Sequence, residues 1–276
     1  MSDFINTVDV IGDEAVIDGL INRTITEYAD DNVENVGKYA LSRCTELVSL
    51  NFPTARVFAS YAVNQCEKLV SVTAPLTETI EDYAFQNCYA LKEALFPNVT
   101  EIMGYAFQKC TALETVSFPE LENPYSLGNN HFQGCSALKN ISFPKLTSVL
   151  GSMFKDCGIE DVVFESVTAL SSNAFSGCKS LRKIDFHALQ VMSSGAFSNC
   201  TALEALILRR TDAICNLQYV TAISTSAIGK GTGYVYVPRA LLSDDDATKD
   251  YRRATNWSTY AERIRAIEDY PEICGG

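Results

Sequence analysis

Two stretches decide the fold: Ala84-Phe-Gln-Asn-Cys-Tyr-Ala-Leu-Lys-Glu-Ala-Leu-Phe-Pro97 and Ala106-Phe-Gln-Lys-Cys-Thr-Ala-Leu-Glu-Thr-Val-Ser-Phe-Pro119, in the same order 22 residues apart. Outward from this pair, Cys44, Cys66, Cys88, Cys110, Cys135, Cys157, Cys178 and Cys200 follow at intervals of 22, 22, 22, 25, 22, 21 and 22 residues. A fixed period of roughly 20–50 residues marks a repeat array. Three residues before each cysteine stands Leu41, Val63, Phe85, Phe107, Phe132, Phe154, Phe175 or Phe197, and three residues after it a leucine, with Ile159 in the short repeat. Three further on come Leu50, Val72, Ala94, Val116, Ile141, Val162, Ile184 and Leu206. Phe-Pro closes the segment at Phe52-Pro53, Phe96-Pro97, Phe118-Pro119 and Phe143-Pro144, and one more Ile or Leu follows, as at Ile80, Ile102 and Leu170.

Each column has a physical reason. Leu-x-x-Val-x-Phe is short and ends in alternation, which suits a strand with one buried face. Proline has no N–H to give and stops the strand at the same height in each coil. Parallel strands ~4.8 Å apart would make eight coils into a sheet roughly 35–40 Å long. The Ala-Phe-x-x-Cys spacing predicts a helical or 3₁₀ turn on the opposite side, its Phe pointing inward. The expected fold class is an α/β repeat solenoid, with a parallel β-sheet on one face and short helical or 3₁₀ turns on the other. One unit cannot bury its own apolar face; stacking makes the core continuous.

The A-F-x-x-C-x-x-L-x-x-[VI]-x-F-P unit resembles the BspA-like leucine-rich repeat family of bacterial and protist proteins, over about residues 33–210. Tyr234-Val-Tyr-Val-Pro238 and Ala254-Thr-Asn-Trp-Ser258 look like the closing segment of such arrays. The resemblance implies a right-handed, curved coil and a binding role. Known members include surface proteins that bind host matrix and other bacteria, and similar arrays occur in phage and prophage tail regions. The expected function is therefore a non-catalytic scaffold for a protein or glycan partner, adhesive if exported. The alternative is a tail-associated structural or host-recognition protein.

Composition narrows the partner. Among 276 residues the formal net charge is −12, and no Lys/Arg stripe is present to neutralise phosphates, so nucleic acid and anionic membrane surfaces are disfavoured. No run approaches the ~20 apolar residues of a membrane span. Met1-Ser2-Asp3-Phe4 shows neither a basic nor an apolar signal-peptide region. The expectation is a cytoplasmic or phage-particle protein if Met1 is the native start, and a surface or secreted one if a leader precedes it.

Three regions are expected. Residues 1–32 form a cap, with a helix over Asp13–Ile21 started by Gly12 or Asp13 and a first strand near Thr24–Tyr28. Residues 33–210 hold about eight repeats, with a loop inserted near Glu122–Asn130. Residues 211–276 hold irregular coils, a Tyr234–Val237 strand, a solvated acidic loop over Leu241–Lys249 and an amphipathic helix over Ser258–Ile267, capped by Asn256 or Ser258. Trp257 plugs the open core or, alternatively, stacks on a ligand.

Catalytic, cofactor and metal sites are not expected. Zinc needs close Cys or His pairs, whereas the cysteines stand about one coil apart and the two histidines, His131 and His187, lie far from each other. The cysteine column reads as buried small hydrophobes, although stacked neighbours are close enough for a disulfide. Cys215 and Cys274 fall outside the period, and Cys274 is expected to be the most exposed and reactive. Gly229-Lys-Gly231-Thr-Gly233 precedes a strand rather than a helix, so it reads as a turn, not a phosphate loop. The five Asn-x-Ser/Thr matches, at Asn22, Asn98, Asn140, Asn199 and Asn256, read as turn chemistry.

The candidate binding residues are the outward sheet positions Asn51, Thr73, Leu95, Ser117, Ser142, Val163, Asp185 and Ile207. Two residues before them run Ser49, Ser71, Glu93, Thr115, Asn140, Asp161, Lys183 and Ala205. Both columns are small and polar early, mixed and more apolar late.

Overall fold

A computed structural model describes residues 23–122, 128–243 and 245–275. The expected cap helix over Asp13–Ile21 and the centre of the inserted loop lie outside the described residues. The chain forms two compact units that divide between Phe143 and Pro144.

Each unit is a pile of parallel strands. In the first, Glu27–Ala29, Ser49–Asn51 and Ser71–Thr73 pair in register, as do Glu93–Leu95, Thr115–Ser117 and Asn140–Ser142. The middle residue of each strand points inward, so Leu50, Ala94 and Val116 are buried while their neighbours face out. The ladder runs one residue past the strand: the Phe52, Phe96 and Phe118 amides donate to Thr73, Ser117 and Ser142 carbonyls at 2.8, 3.2 and 3.1 Å. Proline follows each Phe and ends the pairing. In the second unit Asp161–Phe164, Lys183–Phe186, Ala205–Leu208, Tyr234–Val237 and Ile264–Ala266 pair the same way.

A second, narrower ladder grows from the lone Ile or Leu after Phe-Pro. Asn35–Val36, Val57–Phe58, Thr79–Ile80 and Glu101–Ile102 pair in the first unit. Ser148–Val149, Ala169–Leu170, Val191–Met192 and Asn216–Leu217 pair in the second. Each presents one buried apolar side chain inward.

The Ala-Phe-x-x-Cys segment keeps part of the expected helical or 3₁₀ turn, as a run of hydrogen-bonded turns rather than a continuous helix. Each coil carries two residues of positive φ four positions apart, for example Tyr83 and Asn87 at 59° and 60°. Between them the amides alternate. Tyr83, Phe85 and Asn87 donate to the next coil at Gly104, Ala106 and Gln108 (3.0, 2.8 and 2.9 Å). Ala84, Gln86 and Cys88 donate three residues back, to Glu81, Tyr83 and Phe85. The local bonding of a 3₁₀ turn thus survives on alternate residues only. A helix would use every amide within its own coil, whereas the left-handed residues release half of them for stacking. The left-handed region costs an L-residue roughly 1–2 kcal/mol; Gly134 and Gly177 take the second such position in their coils at φ of 78° and 76° without that cost.

Aromatic columns fill the interior. Phe85, Phe107 and Phe132 stack with centroids 5.1 and 5.5 Å apart, and Phe96, Phe118 and Phe143 at 5.8 and 5.6 Å. The second unit repeats this with Phe154, Phe175 and Phe197 at 5.4 and 5.5 Å.

The closing region departs from expectation. The helix expected over Ser258–Ile267 is a 3₁₀ helix, Trp257–Arg263, followed by the strand Ile264–Ala266. The exposed edge of Tyr234–Val237 offers unpaired amides and carbonyls, and alternation in Ile264-Arg265-Ala266 lets a strand bury two side chains there. Asn256 stands at the N-cap but does not cap; its amide donates to Leu217 and Gln218 carbonyls at 2.7 and 3.1 Å. Trp257 is fully buried, donates to the Cys215 carbonyl at 2.7 Å and packs edge-on to Tyr251. It is a plug, and the ligand-stacking alternative falls because no ring face is open. Leu241–Lys249 is not a plain loop: two 3₁₀ turns, Arg239–Leu241 and Ala247–Lys249, flank it, and Leu242 bridges Asp250.

Candidate functional site: the outward face of the main sheet

Register brings the predicted residues together in columns. In the first unit Asn51 lies beside Thr73, and Leu95, Ser117 and Ser142 form a row of three. Asn51, Thr73, Leu95 and Ser142 are exposed and Ser117 is half-buried. Leu95 is a large apolar side chain 50 % exposed amid small polar ones.

In the second unit Val163, Asp185, Ile207 and Tyr236 are register partners. Val163 is 52 % exposed. Asp185 and Ile207 are not open positions, which corrects the sequence expectation: they are 3 % and 0 % exposed. Residues 267–275 cover them. Cys274 sits in a cluster with Ala205, Ile207 and Tyr236, edged by Tyr234, Ile267, Tyr270 and Ile273. Asp185 takes a fork of hydrogen bonds from Arg209 Nε and Nη2 at 2.8–3.0 Å, and this contact is the first cause that raises the guanidinium's pKa further. Glu165 completes the polar rim, its Oε2 2.6 Å from His187 Nδ1.

Cys274, expected to be the reactive thiol, is buried, and burial raises its pKa. The short helix Pro271–Cys274 folds it against the sheet. All ten cysteines are free thiols. In the periodic column thiols donate to carbonyls of the preceding coil: Cys66 to Leu41, Cys88 to Val63 and Cys110 to Phe85 at 3.1, 3.2 and 3.1 Å, with Cys135, Cys178 and Cys200 alike. Burial pushes these thiols well above their ordinary pKa, so they are poor nucleophiles. Among the described residues no three His, Cys, Asp or Glu side chains converge to hold a metal ion.

His131 occupies the Ala slot before Phe132. It is fully buried, and neither ring nitrogen has a hydrogen-bond partner among the described residues. Burial lowers its pKa to about 4, partly opposed by the nearby Ile102 backbone. Gly128 makes the room: a Cβ there would lie 2.7 Å from Gly104 N and 3.1 Å from His131 Nε2.

Two surface columns lie outside the predicted set. Tyr39, Tyr61, Tyr83 and Tyr105 stack face to face with centroids 4.9, 4.7 and 4.7 Å apart, all at positive φ. Burial, then neighbouring phenols and Asp82, raise the Tyr61 and Tyr83 pKa values. Beside them Asn64, Gln86, Gln108 and Gln133 form an amide ladder, with bonds of 2.9, 2.6 and 2.9 Å. Both columns obey the period already evident in the cysteines, so the sequence signal was there, two positions before and one after the Phe.

Parallel coils with aliphatic, aromatic and thiol columns define a leucine-rich-type repeat. The profile of the BspA type leucine rich repeat region matches residues 25–123 and 100–220 in six copies. The chain belongs to this family. No curated protein sequence matches it. Among solved structures it is similar to a leucine-rich cell surface protein of Faecalibacterium prausnitzii, with a TM-score of 0.55 at 21% identity, covering 64% of this chain and 59% of that one. It is also similar to a leucine-rich repeat protein of Bacteroides ovatus, with a TM-score of 0.41 at 22% identity, covering 76% and 67%. The chain thus spans about three fifths of the length of the Faecalibacterium protein. No helix among the described residues is long and apolar enough to cross a membrane.

Proposed function

We propose that the chain is a non-catalytic binding scaffold that engages a protein or glycan partner through the outward face of its main sheets, in adhesion at a cell surface. The observation that carries this reading is the register-aligned row of Leu95, Ser117 and Ser142 in the first unit, where one large apolar side chain stands exposed among small polar ones; in the second unit Val163 is a further exposed apolar side chain on its own sheet. Isolated anchors ringed by polar groups are how interfaces concentrate binding energy, and repeat proteins present such surfaces over many coils. Membership in a bacterial repeat family supports the reading, as does the cell-surface description of the Faecalibacterium relative.

The test is a glycan array and a pull-down from host matrix and bacterial surface fractions with the intact chain, repeated with Leu95→Glu and Val163→Glu. A partner captured by the native chain and lost in these folded variants is the expected result. A partner retained by both variants would place binding elsewhere, with the tyrosine column next to be tested.

A further inference from the structure

Residues 267–275 meet the second unit's sheet through the buried Cys274 side chain, an edge-on contact of Tyr270 with Tyr236 and two main-chain carbonyls, while Glu268 and Asp269 bond Arg239 after the strand. Cys274 enters the apolar cluster of Ala205, Ile207 and Tyr236, while Ile267, Tyr270 and Ile273 are only partly buried around it. Lys183 Nζ donates to the Ile273 carbonyl at 2.6 Å, and Arg209 donates to the Cys274 carbonyl. These are carbonyls at the end of a short helix, the groups a helix leaves unbonded and the end where a cation is favoured. Asp185, buried beneath, fixes the Arg209 fork.

The receiving residues are specific to this place in the array. Where Lys183 and Ala205 stand, the first unit has Ser49, Ser71, Glu93, Thr115 and Asn140; where Asp185 and Ile207 stand, it has Asn51, Thr73, Leu95, Ser117 and Ser142. A plain hydrophobic cover would not need two cations aimed at backbone carbonyls. The far end of the cover is the less buried part: Pro271, Glu272 and Gly275 are exposed and Ile273 only partly buried, and such a stretch opens before the core strands do.

We propose that the face formed by Lys183, Ala205, Ile207, Arg209 and Tyr236 is a receptor for the last turn of a helix carrying a small apolar side chain. Residues 270–275 are its resident ligand in cis, and a partner segment of the same chemistry binds by displacing them. The proposal rests on the reading of the outward sheet face as the partner surface, and it adds the class of ligand and a gate.

The test uses the full chain with Cys274→Glu, which evicts the segment by placing a carboxylate in an apolar pocket. A labelled peptide, Asp269-Tyr-Pro-Glu-Ile-Cys-Gly275, is titrated into it and into the native chain, and anisotropy is read. Saturable binding at least about tenfold tighter to Cys274→Glu than to the native chain is expected from the removed competitor, weakened when Lys183→Met is added. Equal binding to both chains, or none to either, overturns the proposal. A second measurement needs no variant: in the native chain the Ile273, Cys274 and Gly275 amides should exchange with deuterium at least about a hundredfold faster than those of Ala205–Leu208. Equal protection would make the segment part of the core and overturn the gate. If the peptide fails to bind while Val163→Glu still abolishes partner capture, the cis-ligand idea falls and the surface reading stands.

Discussion

At the scale of single residues, His131 and the cysteine column show how an all-apolar slot treats polar chemistry. His131 is neutral in the fold because burial lowers its pKa to about 4, against roughly 6.5 in an unfolded chain. The proton therefore favours unfolding. The stability is full above pH ~6.5, falls as pH drops toward ~4, and levels off below, for a total near 3 kcal/mol. Urea unfolding of the native chain and His131→Ala across this window should give a difference curve that changes over the same pH span; a flat difference would mean an imidazole not buried in its neutral form. Cys88 makes a weaker use of its polarity, a thiol proton on the Val63 carbonyl. Cys88→Ala should cost about 1–2 kcal/mol, from lost sulfur packing and one weak bond. Under native conditions, labelling with a thiol reagent should leave Cys66, Cys88 and Cys110 unmodified while they react fully in urea.

At the scale of the element, a coil has no independent stability. Its strands are two to four residues long, and its turn holds two left-handed residues whose strain is offset only by hydrogen bonds to the next coil. Stability therefore resides in columns. Phe107 stacks on Phe85 and Phe132 and touches Phe96 and Phe118, so Phe107→Ala should cost roughly 3–5 kcal/mol in chemical denaturation. A loss below ~1 kcal/mol would show that the column is not core. The amide ladder is a lesser support, since Gln108 gives and takes one side-chain bond each; Gln108→Leu should cost about 1 kcal/mol.

At the scale of the molecule, one column of the sheet serves two purposes. Val163 is 52 % exposed and Ile207 fully buried, although both occupy the same repeat position. Val163→Glu should change stability by no more than ~0.5 kcal/mol and reduce partner capture. Ile207→Glu should lower stability clearly more than Val163→Glu does, since a carboxylate cannot stay beneath residues 267–275 and drives them off the sheet with the loss of their contacts. Thermal unfolding and capture measured on both variants separate the two roles; similar melting temperatures for the pair would mean that the cover is not where the structure places it.

The repeat, its strands, the Phe-Pro stops and the buried thiols were legible because each is a column recurring at one period, and periodicity is a property of sequence. The outward positions were legible by alternation, and Leu95 and Val163 are where that argument puts them. The turn was not: helical spacing between Phe and Cys cannot distinguish amides bonded within a coil from amides bonded to the next. The covered state of Asp185, Ile207 and Cys274 was not either, because no local pattern says which distant segment returns to a face.

The order of side chains along this chain fixed what stacks on what, since every apolar column must find its own copy to leave water. Only folding in three dimensions determined which outward faces stay open. That choice turns on contacts 65 to 90 residues apart, Arg209 with Cys274 and Lys183 with Ile273, whose energy depends on position in space and leaves no periodic trace.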